Sequence, residues 1–294
     1  MDNDYSHLID KIENWDVLPK SPMVTIQMPT YNHEGYIKKA LDSILMQQVD
    51  FTYEILLKDD KSTDKTRAIV TAYQKEHPDK IRLWLCKENL YSQGIKVGLS
   101  FFARGKYTAK LEGDDYWTDP LKLQKQVDFL EQNPQYSICF TYSVKVDTEG
   151  KPLETITNLQ QQTFTQYDFL MGKKFQTRTQ TILFNNQYLD VERIMRLNPK
   201  NRINGDTILK IQLTDNNKLG VRLPICTAAY RIHQGGVWSS LNKLNLTKKS
   251  YLSWRTKLKI AFKLNKKAFF PILYKSVELY FKWKMVTVLK TINK

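Results

Sequence analysis

Gly105-Lys106-Tyr107-Thr108-Ala109-Lys110-Leu111-Glu112-Gly113-Asp114-Asp115-Tyr116-Trp117 decides how the rest of this chain is read. From Tyr107 to Glu112 the residues alternate with the period of a strand, which delivers two adjacent carboxylates off its C-terminal end. In an open α/β sheet that is the end where ligands bind. Neighbouring anions repel, and a cation set between them and a substrate relieves the repulsion. A divalent metal holding a diphosphate meets that need. In isolation a solvated Gly-Asp-Asp turn would look the same, so the preceding chain has to decide.

Strand and helix alternate upstream of it. Met23–Met28 and Tyr53–Leu57 read as short buried strands, and Ile81–Leu85 as a third. Between and after them, helices are expected over Gly35–Gln48, Asp64–Glu76 and Gly94–Ala103, the first with Ile37, Ala40, Leu41, Ile44 and Leu45 on one face. Asp119-Pro120 opens a fourth helix, Leu121–Gln132, and Tyr136–Val144 follows as a strand. A mostly parallel sheet covered by helices follows from this order. Pro29-Thr30-Tyr31-Asn32-His33 after the first strand is neither a dinucleotide fingerprint nor a P-loop. From about Asp147 to Thr177 the pattern weakens into polar, loop-rich sequence. Gln180–Phe184, Val221–Pro224 and Cys226–Ile232 read as strands, and Asp206–Leu213 as a helix.

Composition bounds the class. At 294 residues and 41% hydrophobic content, a sizeable globular core is expected. Cys86, Cys139 and Cys226 are odd in number and in no metal-ligand spacing, which suggests a reducing compartment. The acidic N-terminus leads into no apolar run, so no secretory signal is expected, and nothing reads as membrane-spanning. The formal net charge of +15 is unevenly placed. Residues 241–294 hold fourteen basic residues and one acid, Glu278, leaving 31 basic and 29 acidic residues for the remainder.

Three strand ends therefore converge on one sheet edge: Pro29-Thr30-Tyr31-Asn32, Lys58-Asp59-Asp60-Lys61-Ser62-Thr63-Asp64 and Glu112-Gly113-Asp114-Asp115. Their order and spacing, with Asn89 to Gly94 and Ala103 to Tyr107 between them, resemble the family 2 glycosyltransferases of the GT-A fold, bacterial surface-polysaccharide enzymes in particular. The resemblance covers roughly residues 22–240. It implies an α/β, Rossmann-like GT-A domain over 1–240, with a nucleotide-sugar half (about 22–115) and an acceptor half (116–240). Residues 241–294 would be a basic helical tail.

The family pattern also implies roles. Pro29, Thr30 and Tyr31 would line the nucleotide pocket, Tyr31 as a ring against the base. Asp60 would accept a hydrogen bond from a pyrimidine N–H, with Asp59 as the alternative. Asp115 would ligate Mn²⁺ or Mg²⁺, and Asp114 would meet the ribose or the ion's water shell. Glu112 stands where an aspartate is frequent and is a less certain ligand. Asp206, in Asn204-Gly205-Asp206, would be the general base; read without the family it is a helix N-cap. In Tyr230-Arg231-Ile232-His233, His233 could complete the metal shell and Arg231 could meet the diphosphate. Trp117 and Trp238 would frame a sugar acceptor or sit in the core.

An inverting transfer from a nucleotide-sugar, UDP-linked by preference, to a glycan or lipid-linked glycan is the activity so implied. In the tail, Lys alternates with aromatic and aliphatic residues around Trp254, Leu258, Ala261 and Phe262, and Pro271 is expected to split it. Such a helix suits an anionic membrane surface, hence a peripheral position on the cytoplasmic face. No nucleic-acid reader motif accompanies the charge. A sugar nucleotidyltransferase and a non-enzymatic basic adaptor are the other classes; the first lacks the Gly-rich loop it would need after the first strand.

Overall fold

The computed structural model describes residues 6–95, 98–172, 177–199, 202–233 and 243–292. Ten strands form one mixed sheet in the order β1-β4-β3-β2-β5-β9-β7-β10-β6, with β8 pairing on β10. At its centre lie β2 (Val24–Thr30), β3 (Tyr53–Asp59), β4 (Ile81–Cys86) and β5 (Tyr107–Lys110), all mutually parallel where they pair. β3 is buried along its whole length, as expected of a strand covered on both faces. β1 (Ile9–Ile12) pairs antiparallel with β4 at the edge.

Helices α1 (Ile37–Leu45), α2 (Thr66–Glu76) and α3 (Lys122–Gln132) fall where the 3.6-residue pattern puts them. Their apolar faces and the central strands share one hydrophobic cluster, which includes Ile26, Met28, Ile37, Leu41, Ile44, Leu57, Leu83 and Leu123. The register Thr30↔Asp59 and Gln27↔Lys110 brings the ends of β2, β3 and β5 side by side. Pro29, which has no N–H to give, sits past the last β2–β5 pair, where no ladder bond is lost.

The second half departs further from expectation. The helix anticipated over Gly94–Ala103 is only a 3₁₀ turn, Leu99–Phe102, among the described residues; Gly94 itself turns left-handed at φ +76°. β6 (Tyr116–Trp117) is short, and β7 (Tyr136–Val146) runs on past its expected end. The weakly patterned segment contains β8 (Gln162–Phe164) and α4 (Gln166–Met171), the latter begun by a Thr165/Asp168 capping box. β9 (Leu183–Asn185) lies antiparallel between β5 and β7 and is followed by α5 (Val191–Leu197). After α6 (Gly205–Leu213), the two strands expected around Pro224 are one, β10 (Leu219–Arg231), with register shifts against β7 between Arg222 and Ala228.

The C-terminal segment forms α7 (Lys243–Leu264) and α8 (Lys266–Ile292). The break falls at Asn265, and Pro271 is carried inside α8. Ile260, Ala261, Ala268 and Ile272 join Ile138, Phe140, Phe169, Phe184, Ile208 and Ile211 in a second hydrophobic cluster, so one face of this helix pair packs on the sheet. Among the described residues, no helix is long and apolar enough to cross a membrane.

Lys122 is a core residue with no ion pair among the described residues. It is wholly buried, its Nζ 2.5 Å from Gln126 Oε1 and 4.4 Å from the Trp117 ring centroid, and burial pulls its pKa down to about 7. Between that value and the ordinary lysine range, the unfolded chain binds a proton that the folded chain does not, so stability rises with pH there. Urea melts of wild type and Lys122→Met should therefore show wild type gaining on the variant from pH 7 to 10. A gap independent of pH would mean that Lys122 titrates normally.

Candidate functional site

Three strand ends build the site, and the loops that leave them are sewn together. Asn32 (φ +53°) and Lys61 (φ +66°) make left-handed turns after β2 and β3. Across the gap, Asn32 N–H donates to Ser62 Oγ (2.9 Å) and Thr63 N–H to Asn32 Oδ1 (2.8 Å). Similarly, His33 N–H donates to Thr66 Oγ1 (2.8 Å) and Glu34 N–H to Asp64 Oδ2 (3.0 Å). Asp59 belongs to this framework. Fully buried, it takes Arg67 Nε at 2.6 Å and the Ser62 hydroxyl, so both of its oxygens are engaged in this framework. Asp60 is also buried, between Lys58 Nζ (3.1 Å) and the Tyr91 N–H (2.9 Å). Pro29 and Tyr31 are exposed beside it, Tyr31 at 41%; Thr30 is buried, its hydroxyl 3.1 Å from His33 Nδ1.

At the end of β5, Glu112, Asp114 and Asp115 each offer a carboxylate oxygen, all within 4.8 Å of one another. Asp115 is buried and accepts the Arg231 N–H at Oδ1 (2.8 Å). Asp114 Oδ2 meets His233 Nε2 at 3.0 Å, with His33 Nε2 at 3.8 Å. The outer oxygens, Asp114 Oδ1 and Asp115 Oδ2, are buried with no hydrogen-bond partner. Orphaned anionic oxygens are costly unless something absent from the chain completes them. Oxygen donors of this density suit a hard divalent ion such as Mn²⁺ or Mg²⁺.

The electrostatics agree with the crowding. Burial, then Asp206 and Asp114, pushes the Glu112 carboxyl up to about 8. Burial and the neighbouring Asp114 raise Asp115 well above the usual carboxylate range. Burial also lowers the His33 imidazole, against the pull of Asp114. Gly113 is required between these groups: a Cβ there would fall 2.6 Å from Thr30 Oγ1 and 2.7 Å from His33 Nδ1.

Asp206 stands across the site in the first turn of α6, where Asn204, not Asp206, is the N-cap, its side chain accepting the Thr207 N–H. Lys110 Nζ lies 2.9 Å from its Oδ1 and the Thr179 hydroxyl 2.6 Å from its Oδ2. Burial opposes ionisation here, but Lys110, Lys210 and Thr179 together hold the carboxyl well below the usual range. Asp206 is thus a fixed carboxylate, three-quarters buried.

Two expectations need correction. Trp117 does not face an acceptor: it is 1% exposed in the core, its Nε1 donating to the Gln180 carbonyl (2.9 Å). Arg231 does not present its guanidinium to a diphosphate. That group donates to the carbonyls of Asp114 (2.9 Å), Asp147 (3.1 Å) and Thr148 (2.5 Å) and lies over the Tyr36 ring. It holds the loop of the acidic cluster in place. Trp238 lies outside the described residues.

His33, Lys110 and Thr179 were not singled out from the sequence. The alternation Tyr107–Glu112 places Lys110 on the same face as Glu112, which was the available signal for it. His33 directly follows the Pro-x-Tyr-Asn stretch. Thr179 gave no signal.

The family model for glycosyl transferase family 2 matches residues 25–190, more than half of the chain. The uncharacterized protein Rv1520 of Mycobacterium tuberculosis is 34% identical over 220 residues, which cover 72% of this chain and 59% of that protein. The chain thus spans under two thirds of that relative's length. Among solved structures, S. aureus TarS 1-349 in complex with UDP-GlcNAc superposes with a TM-score of 0.62 at 17% identity, covering 88% of this chain and 73% of that one. Mannosyltransferase PcManGT from Pyrobaculum calidifontis, in complex with GDP-Man and Mn²⁺, gives a TM-score of 0.51 at 19% identity, with 91% and 73% covered. The fold is shared with both.

Removing one charge from the crowded cluster should relieve repulsion and destroy the ion site together. In chelator, Asp115→Asn should melt a few degrees above wild type, since roughly 1 kcal/mol corresponds to about 2–4 °C in a domain of this size. That gain should be present at neutral pH and fade below about pH 4, where the unfolded chain's aspartate is itself protonated. Mn²⁺ should raise the wild-type Tm and leave the variant's unmoved. A variant less stable than wild type in chelator would contradict the repulsion.

Proposed function

The chain belongs to glycosyl transferase family 2, and from that premise we propose that it is a metal-dependent, inverting enzyme moving a sugar from a nucleotide-sugar to a glycan or lipid-linked glycan of the cell surface. The observation that carries this reading is the pair of buried, unpartnered oxygens, Asp114 Oδ1 and Asp115 Oδ2, at the joined ends of the parallel strands. TarS binds UDP-GlcNAc and PcManGT binds GDP-Man with Mn²⁺, which supports a nucleotide-sugar donor and a divalent ion here. UDP is the preferred nucleotide.

Each residue has work to do in this scheme. The open Tyr31 ring stacks on the base at the rim formed with Pro29, and Thr30 anchors the turn beneath. Asp60, held by Lys58, accepts the N–H of a pyrimidine ring. Asp115 and Asp114 hold the ion, with Glu112 within reach and His233 orienting Asp114 through its 3.0 Å contact. When bound, the ion neutralises charge on the departing diphosphate as a Lewis acid.

The Asp206 carboxylate takes the proton of the acceptor hydroxyl as that oxygen attacks the anomeric carbon. The C–O bond to the diphosphate breaks with its electron pair leaving on the phosphate oxygen. One displacement on the opposite face inverts the centre. Lys110 and Thr179 keep Asp206 ionised and aimed. The low basicity they impose matches a proton transfer that runs late, as the hydroxyl acidifies while attacking.

A cytoplasmic-face membrane location is part of the same proposal. Phe270, Tyr274, Val277, Phe281 and Met285 are all exposed at helical spacing along α8, and exposed Lys282 and Lys284 flank them. An amphipathic face of this kind enters the headgroup boundary of an anionic bilayer. No readout in nucleic acid is proposed.

Calorimetric titration of UDP and GDP, each with Mn²⁺ and with chelator, tests the transferase reading. Metal-dependent binding of one nucleotide is expected, and Asp206→Asn should retain that affinity while turnover falls about 10²-fold or more. Binding that ignores the metal, or undiminished turnover, would refute it. Separately, Phe270→Ser with Phe281→Ser should release the protein from phosphatidylglycerol vesicles, whereas unaltered sedimentation would remove α8 from the membrane.

A further inference from the structure

Five of the fourteen C-terminal cations line a cleft. Where α7 passes the end of α5 and the start of α6, two adjoining cavities open, of about 310 and 420 Å³, with Arg202 on the wall of both. The first is lined by Arg196, Arg202, Arg255, Lys259 and Lys263. Lys249 and Lys257 line the second. Among the described residues no Asp or Glu lines either one, and none of the five cations of the first cavity has an ion pair.

Arg255, Lys259 and Lys263 recur every four residues, which stacks three like charges on one face of α7. Like charges at that spacing destabilise a helix, and here Arg196 and Arg202 oppose them across a concavity. Several arginines elsewhere are neutralised: Arg82 and Arg104 share buried Glu54, and Arg193 meets Asp215. In the first cavity, by contrast, five cations share one hollow.

Hydroxyls add to it: Thr207, Ser250 and Ser253 line the second cavity, while the Thr256 hydroxyl in the first donates to the Leu252 carbonyl (2.9 Å). Guanidinium forks together with hydroxyl donors around a hollow suit a tetrahedral oxyanion, whose oxygens point in several directions, better than a flat carboxylate with two. Asn204 and Thr207 also line the second cavity, and Asp206 lies between them in the same helical turn. The cleft thus abuts the turn that presents the base.

We propose that this cleft binds successive phosphate groups of the acceptor, so that the acceptor is a phosphate-bearing chain or a lipid-linked phosphate. The naming of the ligand as acceptor rests on the transferase reading; the anion site itself does not. A ligand with two or more phosphates bridges the two cavities and threads past Arg202 toward Asp206.

The test uses inorganic tripolyphosphate, titrated into the full chain at two salt concentrations. Arg255→Gln with Lys259→Gln should bind it about tenfold more weakly or worse, since each change removes a charge-assisted contact at an exposed position. Lys282→Gln with Lys284→Gln removes the same net charge outside the cleft and should stay within about twofold of wild type. Equal losses in the two double variants, or no binding by wild type, would overturn the proposal. Citrate competing as well as tripolyphosphate would overturn the assignment to phosphate.

Phosphatidylglycerol vesicles separate the sources. If the cleft variant also loses vesicle binding, the phosphate belongs to a lipid headgroup. If only tripolyphosphate binding falls, it belongs to a soluble chain. UDP with Mn²⁺, titrated into the same samples, reports on the other site and should be unchanged in both double variants. Failure of UDP to bind any of the proteins would refute the transferase reading while leaving the cleft result intact.

Discussion

Three carboxylates held at the end of one strand are the constraint around which this molecule is arranged. Glu112, Asp114 and Asp115 bring oxygens within 4.8 Å of one another, Asp115 buried and the other two partly so. At an effective dielectric of about 20, unit charges 4 Å apart repel by roughly 4 kcal/mol per pair. The surroundings hold the group in spite of this. Gly113 lets the chain pass against Thr30 and His33, the Arg231 N–H fixes one oxygen of Asp115, and the Arg231 guanidinium clamps the carbonyls on either side. These supports come from β2 with the turn after it and from β10, so the cluster exists only when β2, β5 and β10 are all in place. An acidic loop on the surface would need none of them.

The same dependence explains what the sequence disclosed and what it withheld. β2, β3 and β5 were legible because a strand covered on both faces is a short apolar run, and the helices between them because burial of one face leaves a 3.6-residue trace. The 94–103 helix failed because Gly94 turns left-handed and only one 3₁₀ turn follows. β10 was read as two strands because Pro224 interrupts the run; the sheet absorbs it in a register shift beside β7. β8 and α4 were invisible for a different reason. Their burial is granted by α7 and α8 packing a hundred residues later, and local pattern carries no record of that.

Motif letters proved to be of two kinds. In Asp59-Asp60-Lys61-Ser62-Thr63-Asp64, Asp59, Ser62, Thr63 and Asp64 spend their side chains on the framework that joins the β2 and β3 loops. Tyr31 alone among the expected nucleotide residues presents a large open side chain. Trp117 shows the limit most plainly: a tryptophan two residues after an acidic pair has the sequence signature of a sugar platform, and its burial is decided by Gln180 and Lys122 from other elements. Lys110 and Thr179 were missed because their role depends on Asp206, 96 and 27 residues away.

Charge placement carries the argument one step further. An anionic centre with orphaned oxygens and a cationic cleft without carboxylates could have cancelled each other had evolution placed them in contact. A chain selected only for stability would drift toward that arrangement, because each pairing removes a repulsion that the core must otherwise offset. Instead Lys110 and Asp206 bring the two signs together at the candidate reaction centre, between the acidic cluster and the basic cleft. In the proposed scheme the acidic side takes a cation with its diphosphate, and the basic side an anion that arrives with the acceptor. Asp206 lies at the boundary, where the two would meet.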